Sequence, residues 1–357
     1  MTNSSSLHVL QDSGRPEDSS DYTTVVILHG YAWQSSIFSK LIPLAQAYNA
    51  RIILLNRRDY PGSKPYTEAE RALLPPHATS TEAGAAAESM KVFMKERARE
   101  LYDFLLELVK SGNVPKANRE GKKGGIIVAG WSFGTSWMTA LLANVASFPV
   151  EVPSLTEYMR RVVFLDPPHH SLGYPPPANP YNPLFDPEIP EAERERAFTN
   201  WVSGYYVHGD TPDTLERKTP LREPPPTLST LTPEEVGRML YLPPGAPGGS
   251  DAILVEMGIK LGLFESMREG ALYMRRGEDT GDGWKDVEVR YVSCERSVWE
   301  MPWGTLLLKK ELEEAKAKGL PVRSVKMVFV KGANHFVQWD NPDLALRAIV
   351  GNEDVVE

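Results

Sequence analysis

The sequence predicts an α/β protein with a mostly parallel central sheet, helices on both faces of that sheet, and a helical, proline-rich cap. Short apolar runs typical of buried strands alternate with longer segments of helical periodicity along most of the chain. Polar residues follow several of these strands directly, where parallel sheets carry their sites. Between residues 171 and 283 the alternation stops and prolines accumulate. Alternating strands and helices are typical of parallel sheets covered on both faces.

Composition and charge restrict the classes of function. The chain has 357 residues, is 41% hydrophobic and carries a formal net charge of −8, which argues against binding to nucleic acid or acidic membranes. A single cysteine, Cys294, excludes an internal disulfide, and no apolar run is long enough to span a membrane. We therefore expect a cytoplasmic protein that acts on a small molecule, with no nucleic-acid partner and no membrane insertion. No pattern indicates its oligomeric state.

The N-terminal half contains most of the predicted core. Residues 1–21 are polar and lack the apolar centre of a signal peptide, so we expect a mobile segment there. Helical spacing of apolar residues predicts the helices that follow, and Gly112 ends the longest of them. In order, the predicted elements are a strand at 25–28, a helix at 35–48, a strand at 51–56, a helix at 79–110, a strand at 126–129, a helix at 135–147 and a strand at 162–165.

The stretch GGIIVAGWSFG at 124–134 combines a strand, a tight turn and the start of a helix. Its second half is a G-x-S-x-G sequence centred on Ser132. Glycines two positions either side of the serine avoid collisions with the neighbouring strand and helix. This context predicts that Ser132 is a nucleophile held in a strained turn at a helix N-terminus.

The segment 171–283 is predicted to be a helical cap inserted between two strands. It contains the runs PPPANPYNP, REPPP and LPPGAPGG, in which proline stiffens the chain. Helices are predicted at 191–206, 232–241 and 251–273, and no strand is predicted. The aromatic residues of the segment are expected mainly to hold the cap together.

The sheet resumes after the cap, so the predicted core consists of residues 22–170 and 284–357. Strands are predicted at 287–294 and 325–330, and helices at 305–318 and 342–350. The last of these strands leads into the loop GANHF, which contains His335.

A serine hydroxyl needs a base within hydrogen-bond reach to act as a nucleophile at neutral pH. Of the seven histidines, His335 is the best placed, because it lies just past the last predicted strand, where Gly332 lets the chain turn. His29 ends the first predicted strand and is expected to orient the following loop rather than to act as the base. We therefore predict that His335 is the general base.

Two carboxylates are candidates for the acid that fixes the tautomer of His335. Asp166 ends the strand after the G-x-S-x-G turn, and Glu295 ends the next strand. Asp166 is favoured because Pro167 and Pro168 fix the direction of the chain there, whereas Glu295 begins a charged turn. Glu295 stays open as the alternative.

The predicted oxyanion hole uses two backbone N–H groups, one from Phe133 and one from Tyr31. Phe133 follows the serine, and Tyr31 lies in the loop after the first predicted strand. His29, Trp33 and Trp131 are expected to border the substrate pocket. We predict neither a metal nor a cofactor.

The chain resembles the α/β-hydrolase superfamily in GWSFG at Ser132, in the HGY sequence at 29–31 and in GANHF at His335. The resemblance covers about residues 22–170 and 285–352, and it implies that fold with a cap domain and a triad in the chain order Ser, acid, His. Most relatives place an Asp after the strand that here ends at Cys294, but the turn CERSVWEMP contains none. A minority place the acid after the preceding strand, where Asp166 stands. Ala32 also stands where many relatives have Pro.

The fold does not settle the function. The favoured hypothesis is a serine esterase that cleaves an ester, lactone or thioester of a medium-sized apolar molecule. The alternative is a cofactor-independent dioxygenase, or other non-hydrolytic chemistry, in which the His–Asp pair deprotonates the substrate. A non-catalytic ligand receptor is a third hypothesis. The intact G-x-S-x-G sequence favours hydrolysis, and the complete Ser, His and Asp set argues against the receptor.

Overall fold

The computed structural model describes residues 6–274 and 284–357. A sheet of eight strands lies at its centre. The strands are β1 (His8–Asp12), β2 (Thr23–Leu28), β3 (Ala50–Asn56), β4 (Ile126–Trp131), β5 (Met159–Leu165), β6 (Glu288–Cys294), β7 (Val325–Val330) and β8 (Val355–Val356).

The strand order is β1-β3-β2-β4-β5-β6-β7-β8, and every neighbouring pair is parallel except β1 and β3. Because β2 and β4 to β7 run in the same direction, their carboxyl ends share one edge of the sheet. The loops after these strands therefore meet at that edge. The predicted fold class, a mostly parallel sheet with helices on both faces, is confirmed.

Strand β1 lies inside the segment 1–21 whose composition predicts mobility. It pairs with the edge of β3, with His8 opposite Asn56, and Arg51 forms an ion pair with Asp12 at 2.6 Å. The backbone ladder and this ion pair order a stretch that has few apolar residues. Residues 1–5 lie outside the described part of the chain.

Ten α-helices accompany the sheet in the described residues, and none of these has the length and apolar character needed to cross a membrane. They are α1 (Glu68–Arg71), α2 (Ala83–Lys110), α3 (Thr135–Asn144), α4 (Glu191–Val202), α5 (Pro233–Met239), α6 (Ser250–Lys260), α7 (Leu263–Leu272), α8 (Glu300–Ala317), α9 (Val337–Asp340) and α10 (Pro342–Val350).

Two predicted helices differ from the observed ones. Ser35–Leu44 forms a 3-10 helix that contains Pro43, and a proline cannot donate the backbone hydrogen bond of an α-helix. The predicted helix 251–273 is divided into α6 and α7 at Gly262, whose φ is +68°. That left-handed conformation favours glycine and ends a helix.

The two faces of the sheet pack against different layers. Val26 and Leu28 belong to a hydrophobic cluster that includes residues of α2, α3 and α7. The alternate residues Val25 and Ile27 belong to a second cluster, with the 3-10 helix at 35–44 and α10. Since successive side chains of a strand point to opposite faces, the continuous apolar runs of the sequence serve both layers.

The segment predicted to be a cap is described for residues 171–274, and no strand within that range joins the sheet. Phe264 and Met267 of α7 are buried in the main cluster beside α2 and α3. Trp201 and Tyr206 instead form a small separate cluster with Trp299 at the start of α8. The later part of the segment is therefore packed into a core layer, whereas the part around α4 has a cluster of its own.

Candidate active site

Ser132 lies at the junction of β4 and a 3-10 turn that continues into α3. Its φ is +54°, a left-handed conformation that is costly for a residue other than glycine. A Cβ on Gly130 would lie 2.3 Å from the carbonyl oxygen of Gly134, and a Cβ on Gly134 would lie 2.6 Å from that of His29. The prediction that close packing requires both glycines is confirmed.

Asp166 and His335 are joined by a buried hydrogen bond. Nδ1 of His335 donates to Oδ2 of Asp166 at 2.7 Å, and the two residues are 2% and 1% exposed, respectively. The same carboxylate accepts from the Cys294 N–H at 2.9 Å and from the Ser297 hydroxyl at 2.6 Å. These bonds fix the Asp166 carboxylate and hold the His335 proton on Nδ1, which leaves Nε2 as the basic nitrogen.

Trp131, one residue before the serine, supports the loop that carries His335. Its Nε1 donates to the carbonyl oxygen of His335 at 2.9 Å, and the two rings stack with centroids 4.8 Å apart. Trp131 is only 1% exposed. The hydrogen bond and the ring stacking give Trp131 a supporting position beside the His335 loop, and its place at the substrate pocket stays a prediction.

The structure brings Asp166 and His335 together but leaves Ser132 unlinked. Within residues 6–274 and 284–357, no hydrogen bond joins the partly exposed Ser132 hydroxyl to His335. Catalytic hydrogen bonds are often long in unliganded enzymes and tighten in the substrate complex.

Glu295, the alternative acid, has a different position. Its side chain is exposed, and Oε2 accepts from the backbone N–H of Gly332 at 2.8 Å. Glu295 therefore braces the start of the loop that carries His335, while Asp166 contacts the imidazole itself.

The loop after β2 lies directly against Ser132. A Cβ on Gly30 would lie 2.9 Å from Cβ of Ser132, and the N–H of Ala32 donates to the Tyr60 hydroxyl at 3.0 Å. The backbone N–H of Tyr31 has no acceptor among the described residues. It is therefore available to an oxyanion beside the serine. Ala32, where many relatives have Pro, has a φ of +61°, a value that the proline ring does not allow.

His29 is fully buried behind this loop, at 0% exposure. Its Nδ1 donates to the Gly30 carbonyl at 3.0 Å, and its Nε2 accepts from the Arg57 N–H at 3.0 Å. Burial, with the nearby Arg57 charge, lowers the pKa of His29 well below its usual value. A neutral His29 thus joins the Gly30 carbonyl of this loop to the Arg57 N–H.

A buried ion pair, which the sequence analysis missed, lies beneath the same loop. The guanidinium of Arg57 makes two bonds to the carboxylate of Asp251 in α6, at 2.9 and 2.6 Å, and donates to the Gly30 carbonyl at 2.9 Å. The Tyr60 hydroxyl donates to the same carboxylate at 2.6 Å. Because 194 positions separate Arg57 from Asp251, no local pattern could have predicted this contact.

Trp33, the last of the predicted pocket residues, is partly exposed. Its ring packs edge-to-face on Phe336, the neighbour of His335, with centroids 5.4 Å apart. Of the three side chains expected to border a pocket, Trp33 alone reaches the surface.

A cavity of the described residues lies beyond Asp166, between the segment after β5 and the start of α8. It has a volume of about 1070 Å³, and neither Ser132 nor His335 lines it. Three of its lining residues, His169, His170 and Glu300, form a compact polar cluster. No sequence pattern assigned these residues a role, although the HH pair lies only three residues beyond the strand end at Asp166.

The chain is similar to a known protein family in sequence and to several solved structures. The sequence model described as "Alpha/beta hydrolase family" matches residues 25–348. No curated protein matches the chain. Similar solved structures include an esterase of Thermogutta terrifontis, with 15% identity, a TM-score of 0.38, and 96% of this chain and 91% of that chain covered. A monoacylglycerol lipase of Paleococcus ferrophilus has 16% identity and a TM-score of 0.43, with 96% of each chain covered. A mutant epoxide hydrolase of Vigna radiata has 13% identity and a TM-score of 0.42, with 96% of this chain and 93% of that chain covered.

Proposed function

The chain belongs to the alpha/beta hydrolase family, and we propose that it is a serine hydrolase with Ser132, His335 and Asp166 as its catalytic triad. One observation carries the proposal. A buried His335–Asp166 hydrogen bond of 2.7 Å lies at the same sheet edge as a serine held at a φ of +54°. An oriented imidazole and a strained serine at a helix start are the two parts that acyl transfer requires.

In the proposed reaction, Ser132 Oγ attacks the carbonyl carbon of the substrate while Nε2 of His335 takes the hydroxyl proton. The N–H groups of Tyr31 and Phe133 stabilise the oxyanion of the tetrahedral intermediate. His335 then returns the proton to the leaving alcohol or thiol, and an acyl-enzyme remains. Water, deprotonated by His335, attacks the acyl group and releases the acid and Ser132. Asp166 stabilises the imidazolium in both halves of the reaction.

Residues 171–283 are proposed to act as a cap on a core formed by 22–170 and 284–357. Contacts to both loops beside Ser132 support this role. Gly245 accepts a hydrogen bond from the Tyr31 hydroxyl at 2.6 Å, and the side chain of Asn334 donates to the Ser203 carbonyl at 2.8 Å. A segment anchored to both loops is positioned to select substrates. Its aromatic composition favours an ester, lactone or thioester of a medium-sized apolar molecule.

Non-hydrolytic chemistry by the same His–Asp pair is the second candidate. The observation that favours it is the missing hydrogen bond between Ser132 and His335 within the described residues. In that case His335 deprotonates a ring substrate, and the serine acts only as a hydrogen-bonding group. An intact strained serine turn favours hydrolysis.

Covalent labelling with a fluorophosphonate probe tests the proposal. We expect the wild-type protein to be labelled and Ser132→Ala not to be. Ser147→Ala is the matched control, because Ser147 is an exposed serine just after α3 and bonds only the Asn144 carbonyl.

Two results would contradict the proposal. Labelling that persists in Ser132→Ala would show that another serine reacts. Failure of the wild type to react even with a small sulfonyl fluoride, together with oxygen consumption on a quinolone-type ring, would favour the dioxygenase.

A further inference from the structure

His169, His170 and Glu300 form a second polar centre, apart from the Ser132 site. The two histidines lie in a 3-10 turn after β5, and Glu300 is the first residue of α8. One nitrogen or oxygen from each side chain lies within 4.8 Å of the others. All three residues line the cavity of about 1070 Å³. Two imidazoles and a carboxylate thus meet at the wall of an open space.

His169 is already oriented in the way that metal-binding histidines are. Its Nδ1 donates to the carbonyl oxygen of Tyr174 at 2.8 Å, and its ring stacks on Trp299 with centroids 5.5 Å apart. A histidine that ligates a metal commonly donates its other ring N–H to a carbonyl in this way, which fixes the tautomer and the ring plane. Nε2 of His169 therefore keeps its lone pair for a ligand.

Among residues 6–274 and 284–357, Glu300 has no partner that explains its position. Its side chain is only partly exposed, yet among the described residues no side chain or backbone N–H forms a hydrogen bond or ion pair with its carboxylate. The His170 imidazole likewise makes no hydrogen bond within those residues and contacts the ring of His169 edge-to-face. A carboxylate taken from water without a donor costs free energy unless a cation approaches it.

We propose that His169, His170 and Glu300 bind a divalent transition-metal ion, best matched by Zn²⁺, whose open coordination position faces the cavity. Two histidines and one glutamate are a known set of three protein ligands for zinc with a fourth position left open. Tetrahedral bonds of this kind hold ligand atoms roughly 3.4 Å apart. His170 and Glu300 form no side-chain hydrogen bond with the described residues, so both side chains are free to close on the ion.

The site joins two segments that also serve the Ser132 site. His169 lies three residues after Asp166, and Glu300 lies three residues after Ser297, which donates to Asp166. A bound ion would tie the turn after β5 to the start of α8. Its open position would accept an anionic or neutral oxygen of a molecule in the cavity.

Titration of the metal-free full-length protein with ZnCl₂, followed by calorimetry and by thermal unfolding, tests the proposal. We expect one zinc ion per chain and a higher melting temperature. With Co²⁺ in its place, we expect the visible absorption of a four-coordinate ion. Ser132→Ala should bind zinc as the wild type does, so the result is independent of the proposed hydrolase.

The variants His170→Ala and Glu300→Gln should each weaken zinc binding at least tenfold, while both stay folded in chelator. His77→Ala is the matched control, because His77 is an exposed histidine outside the cluster, and it should bind zinc as the wild type does. Absence of stoichiometric binding to the wild type would overturn the proposal. Binding that is unchanged in both cluster variants would overturn it as well.

Discussion

Asp166 and Glu300 lie beyond the ends of neighbouring strands, β5 and β6, and the protein surrounds their carboxylates in opposite ways. Asp166 accepts hydrogen bonds from a backbone N–H, a hydroxyl and an imidazole, with donor–acceptor distances between 2.6 and 2.9 Å. Glu300 accepts none from the described residues, and burial raises its pKa to about 7. Donors fixed around a carboxylate stabilise its charge, whereas burial without donors disfavours it.

The charge of a third carboxylate, Asp251, is balanced in another way. It pairs with Arg57, and their side chains are only 4% and 0% exposed, respectively. The negative charge of Asp251 is therefore balanced within the protein, and that of Asp166 is stabilised by neutral donors and an imidazole. Of the three carboxylates, only that of Glu300 has neither an opposite charge nor a hydrogen-bond donor beside it among the described residues. Glu300 therefore indicates a site for a cation.

The largest expected effect is that of Asp166→Asn on ester hydrolysis. The asparagine amide would face Nδ1 of His335 with an N–H group, so the imidazole would be held in the wrong tautomer. We expect turnover of a p-nitrophenyl ester to fall by about 10⁴-fold, measured at saturating substrate.

Glu295→Gln is the control for Asp166→Asn. Glu295 is exposed and bonds only the Gly332 N–H, so the variant should stay within about twofold of wild-type turnover, the effect expected of a surface hydrogen bond. Equal losses in the two variants would remove the distinction between the two carboxylates.

Asp251→Asn tests the paired carboxylate. The variant leaves Arg57 charged and buried without its counter-ion, which typically costs about 3–5 kcal/mol of stability. The free energy of unfolding, measured with urea, should fall by that amount. The exposed pair Glu234–Arg238 provides the control, and Glu234→Gln should cost less than about 1 kcal/mol. A similar small loss in Asp251→Asn would show that the buried pair contributes little.

In the metal-free protein, Glu300→Gln should have the opposite effect to Asp251→Asn, because it should increase the free energy of unfolding. Folding raises the pKa of the Glu300 carboxyl from 4.5 to about 7. Ionised Glu300 therefore destabilises the fold increasingly as the pH rises from 4.5 to 7, and the destabilisation is complete above pH 7. At pH 8 in chelator, the variant should be more stable by roughly 1–3 kcal/mol.

The difference in stability between Glu300→Gln and the wild type should disappear below pH 4.5, where the wild-type carboxyl is protonated in the folded and the unfolded protein. Added zinc should reverse it, because only the wild type keeps all three ligands. Unfolding in urea at pH 4, at pH 8, and at pH 8 with zinc measures the difference in unfolding free energy between the two proteins under each condition. A variant less stable than the wild type in chelator at pH 8 would show that the carboxylate has a stabilising partner.

The sequence predicts those parts of the site that depend on local patterns. Ser132 follows from a strand and a glycine-bounded turn within eleven consecutive positions, GGIIVAGWSFG, and from the helix that comes directly after them. His335 follows from its place after the last predicted strand. Because parallel strands bring such loops to one edge, strand ends alone indicate the candidate residues.

Contacts between distant segments were beyond the sequence analysis. The Ser297 hydroxyl reaches Asp166 only because β5 and β6 are neighbours in register, and the Arg57–Asp251 pair depends on how α6 packs under the loop after β2. The sequence cannot decide which way Trp131 points, because an aromatic residue beside Ser132 can face a pocket or the core. Its hydrogen bond to the loop of His335 decides the direction.

The smallest effect is expected from Ser297→Ala, which removes one of the three donors to Asp166. The alanine leaves the Cys294 N–H and the His335 imidazole in place as donors to Asp166, so the tautomer of His335 is kept. We expect turnover to fall about tenfold, on the order of 1.4 kcal/mol, with KM unchanged. Ser293→Ala is the matched control, because its hydroxyl bonds Thr305 instead, and it should leave turnover unaltered. A loss as large as that of Asp166→Asn would show that the carboxylate depends on the complete donor set, whereas no loss would show that two donors suffice.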